Sequence, residues 1–279
     1  MKKSRRGLNP AYQLGIILIM VRVIVLRTAG TNCDKETAFA FEEAGANSEL
    51  VHINQLSRGE RRLGDYHVLA IPGGFSYGDD IASGKILANE LKYKLQDDVR
   101  RFIKRGKLII GICNGFQVLV KAGFLPNLGE EFEIEATLTL NNSARYEDRW
   151  VYLKKSPSRC VWTKGIAREI IYLPVAHGEG KFVAKDENIV KLLDSEGLVA
   201  LRYVDSNGNF GDYPINPNGS VDHCAGICDQ TGRIFGLMPH PERYIDAIQH
   251  PRWTRERLPK EGDGIAIFRS GVDYAKKIL

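Results

Sequence analysis

A cysteine lies between an apolar run and a helical pattern in the stretch RGKLIIGICNGFQVLVKAG, residues 105–123. The run KLIIGI predicts a strand, and the apolar spacing after Cys113 predicts a helix that ends at Gly123. Cys113 therefore falls on a strand-to-helix turn with glycine on both sides, which permits close approach of a nucleophile to its substrate. The positive end of the helix dipole would favour the thiolate. Position alone leaves an inert, buried cysteine equally open.

A histidine and a glutamate two residues apart could supply a base and the group that orients it. They are His240 and Glu242 in the segment LMPHPERY. Prolines on either side of the histidine exclude a regular helix, and an extended segment would point both side chains the same way. Because a nucleophilic cysteine needs such a base, these residues predict a triad of Cys113, His240 and Glu242. Taken alone, His240 could be an ordinary exposed loop histidine, but the P-H-P-E context disfavours that interpretation.

Acyl transfer also needs N–H donors for the oxyanion that develops on the substrate. The glycine turn PGGFSYGDD follows the apolar strand HVLAI and presents backbone N–H groups at the same end of the sheet as the nucleophile. Gly74 or Phe75, together with the amide of Asn114, is the predicted oxyanion hole. An ordinary strand-end turn is the alternative interpretation.

The elements that position these residues follow from the apolar pattern. Strand-like runs in the first half are mostly apolar throughout, which indicates burial on both faces of a parallel sheet covered by helices. From about Phe132 polar and apolar residues alternate, as in FEIEATLTL and DRWVYLKK, which predicts antiparallel strands on or beside that sheet. The predicted fold is α/β, with a doubly wound, mostly parallel sheet flanked by helices and additional antiparallel strands.

Length and charge limit the remaining possibilities. The chain has 279 residues, 43% of them hydrophobic, and no linker divides it, so we expect one domain over residues 20–279. Residues 1–19 form a basic extension that supplies four of the five net positive charges. No basic stripe with interleaved aromatic residues follows it, so nucleic-acid binding is not expected.

The apolar stretch near the N-terminus imitates a secretory leader. Arg22 interrupts it well short of the roughly 20 residues that a membrane span needs. No convincing small-residue cleavage site precedes the fold. We therefore expect a first buried strand at VRVIVL and no membrane association, and Met20 could be the native start.

The five cysteines form an odd, scattered set, which favours a reducing compartment and hence the cytoplasm. Cys224 and Cys228 have no second pair at metal-ligand spacing, so buried thiols are expected there and no metal site is predicted. The stretch GDDIASGKI has five residues between Gly78 and Gly84 where a phosphate-binding loop has four, and Ile86 replaces the required Ser or Thr. An ATP site is therefore not expected in this chain.

Three motifs carry a resemblance to a known family. GICNGFQ and MPHPE, preceded by PGGFSYGDD, resemble the class I (triad) glutamine amidotransferases, whose fold is flavodoxin-like. Further stretches narrow the resemblance to the glutaminase subunits of phosphoribosylformylglycinamidine synthase, an activity of purine biosynthesis. The likeness runs from about Val21 to the C-terminus and includes GTNCDKET, RYEDRWV, PVAHGEGKF and NPNGSVDHCAGICDQTGRIFGLMPHPER.

The resemblance implies roles for individual residues. Cys113 would attack the side-chain amide of glutamine, His240 would relay a proton to the departing ammonia, and Glu242 would orient His240. Gln117 and Gly73 would bind glutamine. His177 and Glu179 would lie near the glutamine site or a partner surface, and neither would be catalytic.

The resemblance also implies partners. No cofactor is expected in this chain, whereas ATP and magnesium are expected on a large synthetase subunit that converts formylglycinamide ribonucleotide to formylglycinamidine ribonucleotide. A small third subunit would complete the assembly. The ammonia made here would be delivered to the synthetase.

Two other classes compete with this interpretation. Protease-like and deglycase-like relatives share the sheet and the cysteine turn, but they typically place a histidine where this chain has Asn114, and they lack the P-H-P-E segment. A non-catalytic, scaffolding module would need a defect in the triad that the sequence does not reveal. The chain departs from the family pattern in two places that do not touch the triad. RTAG replaces FPG after the first strand, and the basic extension has no counterpart.

Overall fold

The strands and helices of the chain are taken from a computed structural model, which describes residues 20–129 and 132–278. The predicted extension, residues 1–19, lies outside the described residues. The strands are β1 Arg22–Arg27, β2 Asn47–His52, β3 Val68–Ile71, β4 Leu108–Ile112, β5 Ala136–Thr139, β6 Glu147–Lys155, β7 Ile170–His177, β8 Lys181–Ala184, β9 Val199–Val204, β10 Cys224–Cys228 and β11 Ile234–Leu237. The α-helices are α1 Asp34–Glu43, α2 Ile53–Ser57, α3 Lys85–Asn89, α4 Gln96–Lys104, α5 Asn114–Lys121, α6 Glu187–Ser195 and α7 Ile265–Ile278.

The main sheet has two halves of different character. Its described strands run in the order β2-β1-β3-β4-β11-β10-β9-β6-β7. From β2 to β11 the pairing is parallel, and β3, β4 and β11 are buried along their whole length. From β11 to β7 it is antiparallel, and β7 alternates between buried and partly exposed residues. The predicted α/β fold with additional antiparallel strands is confirmed.

One detail differs from the sequence pattern. The long helical pattern after Gly84 does not form one helix, because a wider turn over Glu90–Lys94 separates α3 from α4. There the Leu95 N–H bonds to the Glu90 carbonyl five residues back, at 3.2 Å. The strands β5 and β8 pair only with each other and lie beside the main sheet. In the described part of the chain, no helix combines the length and the apolar character needed to cross a membrane.

The register of the parallel half brings three loops to one edge of the sheet. β3 and β11 flank β4 on its two sides, with Ile71 opposite Gly111 and Leu237 opposite Ile112. The chain segments that leave the carboxyl ends of β3, β4 and β11 are therefore neighbours. They are the glycine turn, the cysteine turn and the segment that carries His240, so the predicted site residues meet where open α/β sheets place their ligands.

Candidate active site

Cys113 occupies a tight turn between β4 and α5. Its backbone lies at φ 51° and ψ −105°, a positive φ that is costly for a residue with a side chain. The glycines on either side are required by close backbone contacts. A Cβ at Gly111 would lie 2.5 Å from the Gly115 carbonyl oxygen, and one at Gly115 would lie 1.9 Å from that of Ile71. The structure therefore has the strained strand-to-helix turn that the glycine spacing predicts.

His240 and Glu242 form a buried pair beside this turn. The Nδ1 of His240 lies 2.6 Å from the Oε1 of Glu242, and both side chains are almost completely buried. The segment is not extended as expected, because Glu242 falls in a 3-10 turn over Pro241–Arg243. Proline at the start of that turn fits its fixed φ. The histidine backbone is held by an N–H bond of 2.8 Å to the Pro174 carbonyl of β7.

The environment of His240 favours the imidazolium. Burial alone would lower the pKa of His240, but the Glu242 carboxylate and the Cys113 thiol outweigh it and raise the pKa well above its ordinary value. The Nε2 of His240 forms no hydrogen bond within the described residues, although it is buried. This nitrogen is therefore free for the thiol or for a substrate atom. The Cys113 thiol itself lies 3.6 Å from the Ala176 carbonyl oxygen.

The glycine turn leaves one of its two predicted donors free. The Phe75 amide already donates to the Gly30 carbonyl at 2.9 Å, so the structure does not support Phe75 as the oxyanion donor. The amides of Gly74 and Asn114 form no hydrogen bond among residues 20–129 and 132–278. Gly74 has φ 140°, which a residue with a side chain rarely adopts, so glycine is required at this position.

The side chains of Asn114 and Gln117 tie the nucleophile helix to its surroundings. Asn114 accepts from the Ser76 amide at 3.2 Å, and its Nδ2 donates to Asp79 at 3.2 Å and to the Gln117 Oε1 at 3.0 Å. The Gln117 Nε2 donates to the Glu179 carbonyl at 2.6 Å. Both ends of the Gln117 amide are thus occupied within the protein, and its predicted contact with glutamine stays a prediction.

Lys121 and Glu179 continue these contacts behind helix α5. The Lys121 Nζ donates to the Ser83 carbonyl at 2.6 Å and lies 3.4 Å from a Glu179 carboxylate oxygen. The Ser83 hydroxyl donates to Asp79 at 2.9 Å. Burial lowers the pKa of Lys121, and Glu179 opposes that change. We name the whole set the Glu179 network: Asp79, Ser83, Asn114, Gln117, Lys121 and Glu179.

His177 is buried near the same turn but in a different environment. Its Nδ1 lies 3.2 Å from the Asn141 Oδ1, and its Nε2 is buried without a partner in the described residues. Burial, with a contribution from the charge of His240, lowers the pKa of His177 to about 3. A Cβ at Gly180 would lie 2.3 Å from the His177 ring, so the ring packs directly on that backbone. A neutral, enclosed imidazole fits the absence of a predicted catalytic role.

Cys33 is a neighbour of the triad that the sequence interpretation did not single out. It follows β1, its amide donates to the Gly73 carbonyl at 3.2 Å, and its thiol accepts from Arg243 at 3.2 Å. Burial raises the pKa of Cys33, and its contact with His240 opposes the rise. Its position after a parallel strand, in the quoted stretch GTNCDKET, was the signal available. A cavity of about 40 Å³ is lined by these residues: Asn32, Cys33, Gly74, Phe75, Cys113, Tyr146, Ala176, His240 and Arg243.

The fold and this site define a class of protein. A cysteine on a strand-to-helix turn, faced by a buried His–Glu pair from the adjacent strand, is the arrangement of a class I glutamine amidotransferase. In agreement, residues 20–275 match the family model of the CobB/CobQ-like glutamine amidotransferase domain.

Individual relatives narrow the family. The phosphoribosylformylglycinamidine synthase subunit PurQ of Dehalococcoides mccartyi is 50% identical over 260 residues, which cover 92% of this chain and 99% of the relative. That of Methanococcus maripaludis is 45% identical over 276 residues, covering 94% and 100%. A chain in the solved structure of PurLQS from Thermotoga maritima superposes with a TM-score of 0.70 at 32% identity, covering 92% of this chain and 99% of that one. The chain belongs to the family of PurQ subunits of phosphoribosylformylglycinamidine synthase.

Proposed function

We propose that this chain hydrolyses glutamine to glutamate and ammonia through Cys113, His240 and Glu242. The ammonia is delivered to a synthetase subunit that converts formylglycinamide ribonucleotide to formylglycinamidine ribonucleotide in purine biosynthesis. The observation that carries the proposal is the buried His240–Glu242 pair, 2.6 Å apart, beside a cysteine held at positive φ on its turn.

The geometry supports a two-stage reaction. The Cys113 thiolate attacks the side-chain amide carbon of glutamine, and the amides of Gly74 and Asn114 stabilise the oxyanion. The His240 imidazolium donates its proton to the departing nitrogen, and ammonia leaves a thioester on Cys113. His240, now neutral, takes a proton from water, which attacks the thioester, releases glutamate and restores the thiolate.

Glu242 has two effects on this cycle. It fixes the ring of His240 through Nδ1, so that Nε2 faces the site. Its charge also outweighs the burial of the ring and keeps the imidazolium available as an acid. The absence of a hydrogen bond at Nε2 in the described residues is compatible with catalysis, because catalytic hydrogen bonds often tighten only when the substrate is bound.

The partners follow from the division of labour. ATP, magnesium and the nucleotide acceptor are assigned to the synthetase, since this chain has no phosphate-binding loop at GDDIASGKI. The name PurLQS of the Thermotoga maritima structure supports an assembly with other subunits, and we assign a large synthetase and a small third subunit to it. The scattered cysteines, all free in the structure, support a cytoplasmic location.

The test separates glutamine hydrolysis from amination. In the reconstituted complex, Cys113→Ala should abolish glutamine-dependent synthesis and leave synthesis from added ammonia intact, because the thiol serves only the hydrolysis. Cys160→Ala, a buried cysteine that packs on Gly232 at the end of β11 remote from His240, is the matched control and should retain both activities. Loss of the ammonia-dependent reaction in an intact complex with Cys113→Ala would disprove the division of labour.

A scaffolding role is excluded by a second measurement. A glutamine-analogue electrophile should label Cys113 in the wild-type chain and leave the four other cysteines unmodified, since Cys113 is the cysteine on the strand-to-helix turn, where the amides of Gly74 and Asn114 are free to stabilise an oxyanion. Failure to label Cys113 in the partner-bound protein would favour the scaffold.

A further inference from the structure

The triad histidine and Cys33 lie against the same backbone glycine. A Cβ at Gly73 would lie 2.8 Å from the Cε1 of His240 and 3.2 Å from the Sγ of Cys33. Glycine at this position therefore permits the thiol and the imidazole to approach each other. The Cys33 side chain is 1% exposed, so bulk water does not separate the two groups.

Together with Glu242, these groups form a cluster of metal-ligand type. The Cys33 Sγ, an imidazole nitrogen of His240 and a carboxylate oxygen of Glu242 all lie within 4.8 Å of one another, and all three residues are buried. The Oε2 of Glu242 forms no hydrogen bond in the described residues, whereas the Nδ1 of His240, the ring nitrogen that faces Glu242, is bonded to the Oε1 of that carboxylate at 2.6 Å. Buried polar atoms without partners are costly, so they are ready to accept a ligand.

Zinc prefers this set of donors. Its usual ligands are thiolate sulfur, imidazole nitrogen and carboxylate oxygen at about 2.0–2.3 Å, which places neighbouring ligand atoms roughly 3.5 Å apart around a tetrahedral ion. In this cluster no two ligand atoms are more than 4.8 Å apart, and the ion would enter by separating the His240 Nδ1 from the Glu242 Oε1, which now lie 2.6 Å apart. A fourth position would open toward the cavity of about 40 Å³ that Cys33 and His240 share with Cys113.

We propose that Cys33, His240 and Glu242 form an inhibitory site for a thiophilic divalent cation such as Zn²⁺. On binding, the Cys33 thiol and the His240 imidazolium each release a proton to solvent, and the ion takes the imidazole and carboxylate out of the triad. Cys113 then lacks its acid and base, and glutamine hydrolysis stops. The inhibition rests on the proposed function, whereas the binding of the ion does not.

The surrounding charges make this site selective. The Arg243 guanidinium lies 3.2 Å from the Cys33 thiol, so its positive charge repels a metal ion at this site. Glu36 partly neutralises that charge by accepting a hydrogen bond of 3.1 Å from Arg243. An ion held mainly by electrostatic attraction to oxygen, such as Mg²⁺, gains nothing here that offsets this repulsion. An ion that bonds to sulfur gains the thiolate bond. Zn²⁺ can thus inhibit glutamine hydrolysis at this site while Mg²⁺ in the same solution does not.

Binding is tested directly with Cd²⁺ as the spectroscopic probe on the full chain carrying Cys113→Ala, which removes the nucleophile as a competing ligand. Cadmium should give a thiolate charge-transfer absorption at one equivalent, and Zn²⁺ but not Mg²⁺ should displace it. Loss of an outer-shell partner typically weakens metal binding by roughly 10–100-fold. Because Cys33 is a direct ligand, adding Cys33→Ser should weaken cadmium binding by more than that. Adding Cys224→Ser should leave binding unchanged.

The result that overturns the proposal is an absorption that survives Cys33→Ser in the Cys113→Ala background, or that is absent from that background altogether. Circular dichroism and thermal melting of each variant show that it is folded. Because absorption needs no enzymatic activity, the outcome decides the metal site even if glutamine proves not to be the substrate.

Inhibition is tested separately by glutamate release from the partner-bound protein, each variant being compared with its own metal-free rate. Zn²⁺ should inhibit the wild type at least about tenfold more strongly than Cys33→Ser, in line with the loss of one ligand. Equal inhibition of the two proteins would mean that the ion acts on Cys113 and His240 alone, which would refute the role of Cys33.

Discussion

Two polar assemblies adjoin the nucleophile turn, the fully buried triad pair and the partly buried Glu179 network, and they differ in how completely they are hydrogen-bonded. On the triad side, one bond joins His240 to Glu242, and the outer atom of each side chain has no partner among the described residues. On the other side, the members of the Glu179 network bond to one another and to backbone groups of the glycine turn.

The difference separates chemistry from positioning. A buried polar group without a partner costs free energy that a fully bonded group does not, and such groups persist where the site needs them for reaction. A satisfied network holds its members in one arrangement instead. We therefore expect substitutions on the triad side to change rate and pH dependence, and those in the Glu179 network to change stability first.

The largest effect should come from Glu242→Gln. Burial would then lower the pKa of His240 with only Cys113 and Cys33 opposing it, so less of the imidazolium would be available as the acid. We expect the glutaminase rate to fall at least about 10²-fold, with the residual activity shifted to lower pH. Glutamate release measured across pH in the partner-bound protein checks both points. A near-normal rate, or a loss equal at every pH, would remove Glu242 from the triad.

Binding of the synthetase should have an effect of similar or smaller size. The turn that carries Gly74 is glycine-rich and can shift at small cost, so the isolated chain is expected to be a poor glutaminase whose donors align on docking. A single oxyanion donor is typically worth about 3 kcal/mol, which corresponds to roughly 10²-fold in rate. Steady-state glutamate release with and without partner, ATP and acceptor is the measurement. Equal rates would show that the oxyanion donors are already aligned in the isolated chain.

A moderate effect is expected for Lys121→Met in the Glu179 network. The change leaves the Ser83 carbonyl and the Glu179 carboxylate without their buried cation, which should lower the free energy of unfolding by about 1–3 kcal/mol. The glutaminase rate should fall less than with Glu242→Gln. Denaturant unfolding compares this variant with Lys104→Met, an exposed lysine of α4. A rate loss larger than that of Glu242→Gln, without a loss of stability, would erase the distinction between the two assemblies.

The last effect is on stability in acid and concerns His177. Since the folded-state pKa of His177 is about 3, the unfolded chain binds its proton near the ordinary pKa of 6.5 while the folded chain does not. The stability that the neutral His177 ring confers at pH values above its ordinary pKa is therefore lost as pH falls. The loss is about 1.4 kcal/mol for each pH unit between roughly pH 6 and pH 4. The difference in unfolding free energy between the wild type and His177→Gln should shrink or reverse over this range. A constant difference would mean that His177 is protonated in the folded protein.

Sequence patterns were sufficient where the determining contacts are local. Continuous apolar runs identified the parallel strands, and glycines 111 and 115 identified the turn at Cys113, because each glycine is required by a contact within the strand–turn–helix unit or with the adjacent strand. The pairing of His240 with Glu242 also followed from their spacing, although the turn that joins them is 3-10 and not extended. Proline excludes an α-helix but does not distinguish these two conformations.

Contacts between distant segments were not accessible from pattern alone. Spacing placed Gln117 one helical turn beyond the nucleophile, but nothing local shows that the Glu179 carbonyl occupies its amide. Likewise Phe75 and Gly74 are equivalent in the sequence, and only the position of Gly30 distinguishes the engaged amide from the free one. Cys33 could have been suspected, since it follows a parallel strand, yet its approach to His240 depends on the packing of two loops across the sheet edge.

The place of β11 in the sheet also determines when this protein becomes active during its own synthesis. This strand is central, with β4 on one side and β10 on the other, and Leu237 accepts the Cys113 amide at 2.8 Å. The nucleophile is translated long before the strand that positions its acid, and pairing of segments so far apart forms slowly. A nascent chain therefore carries Cys113 without His240 beside it until β11 inserts, so under the proposed function glutamine hydrolysis has to wait for the sheet to be complete.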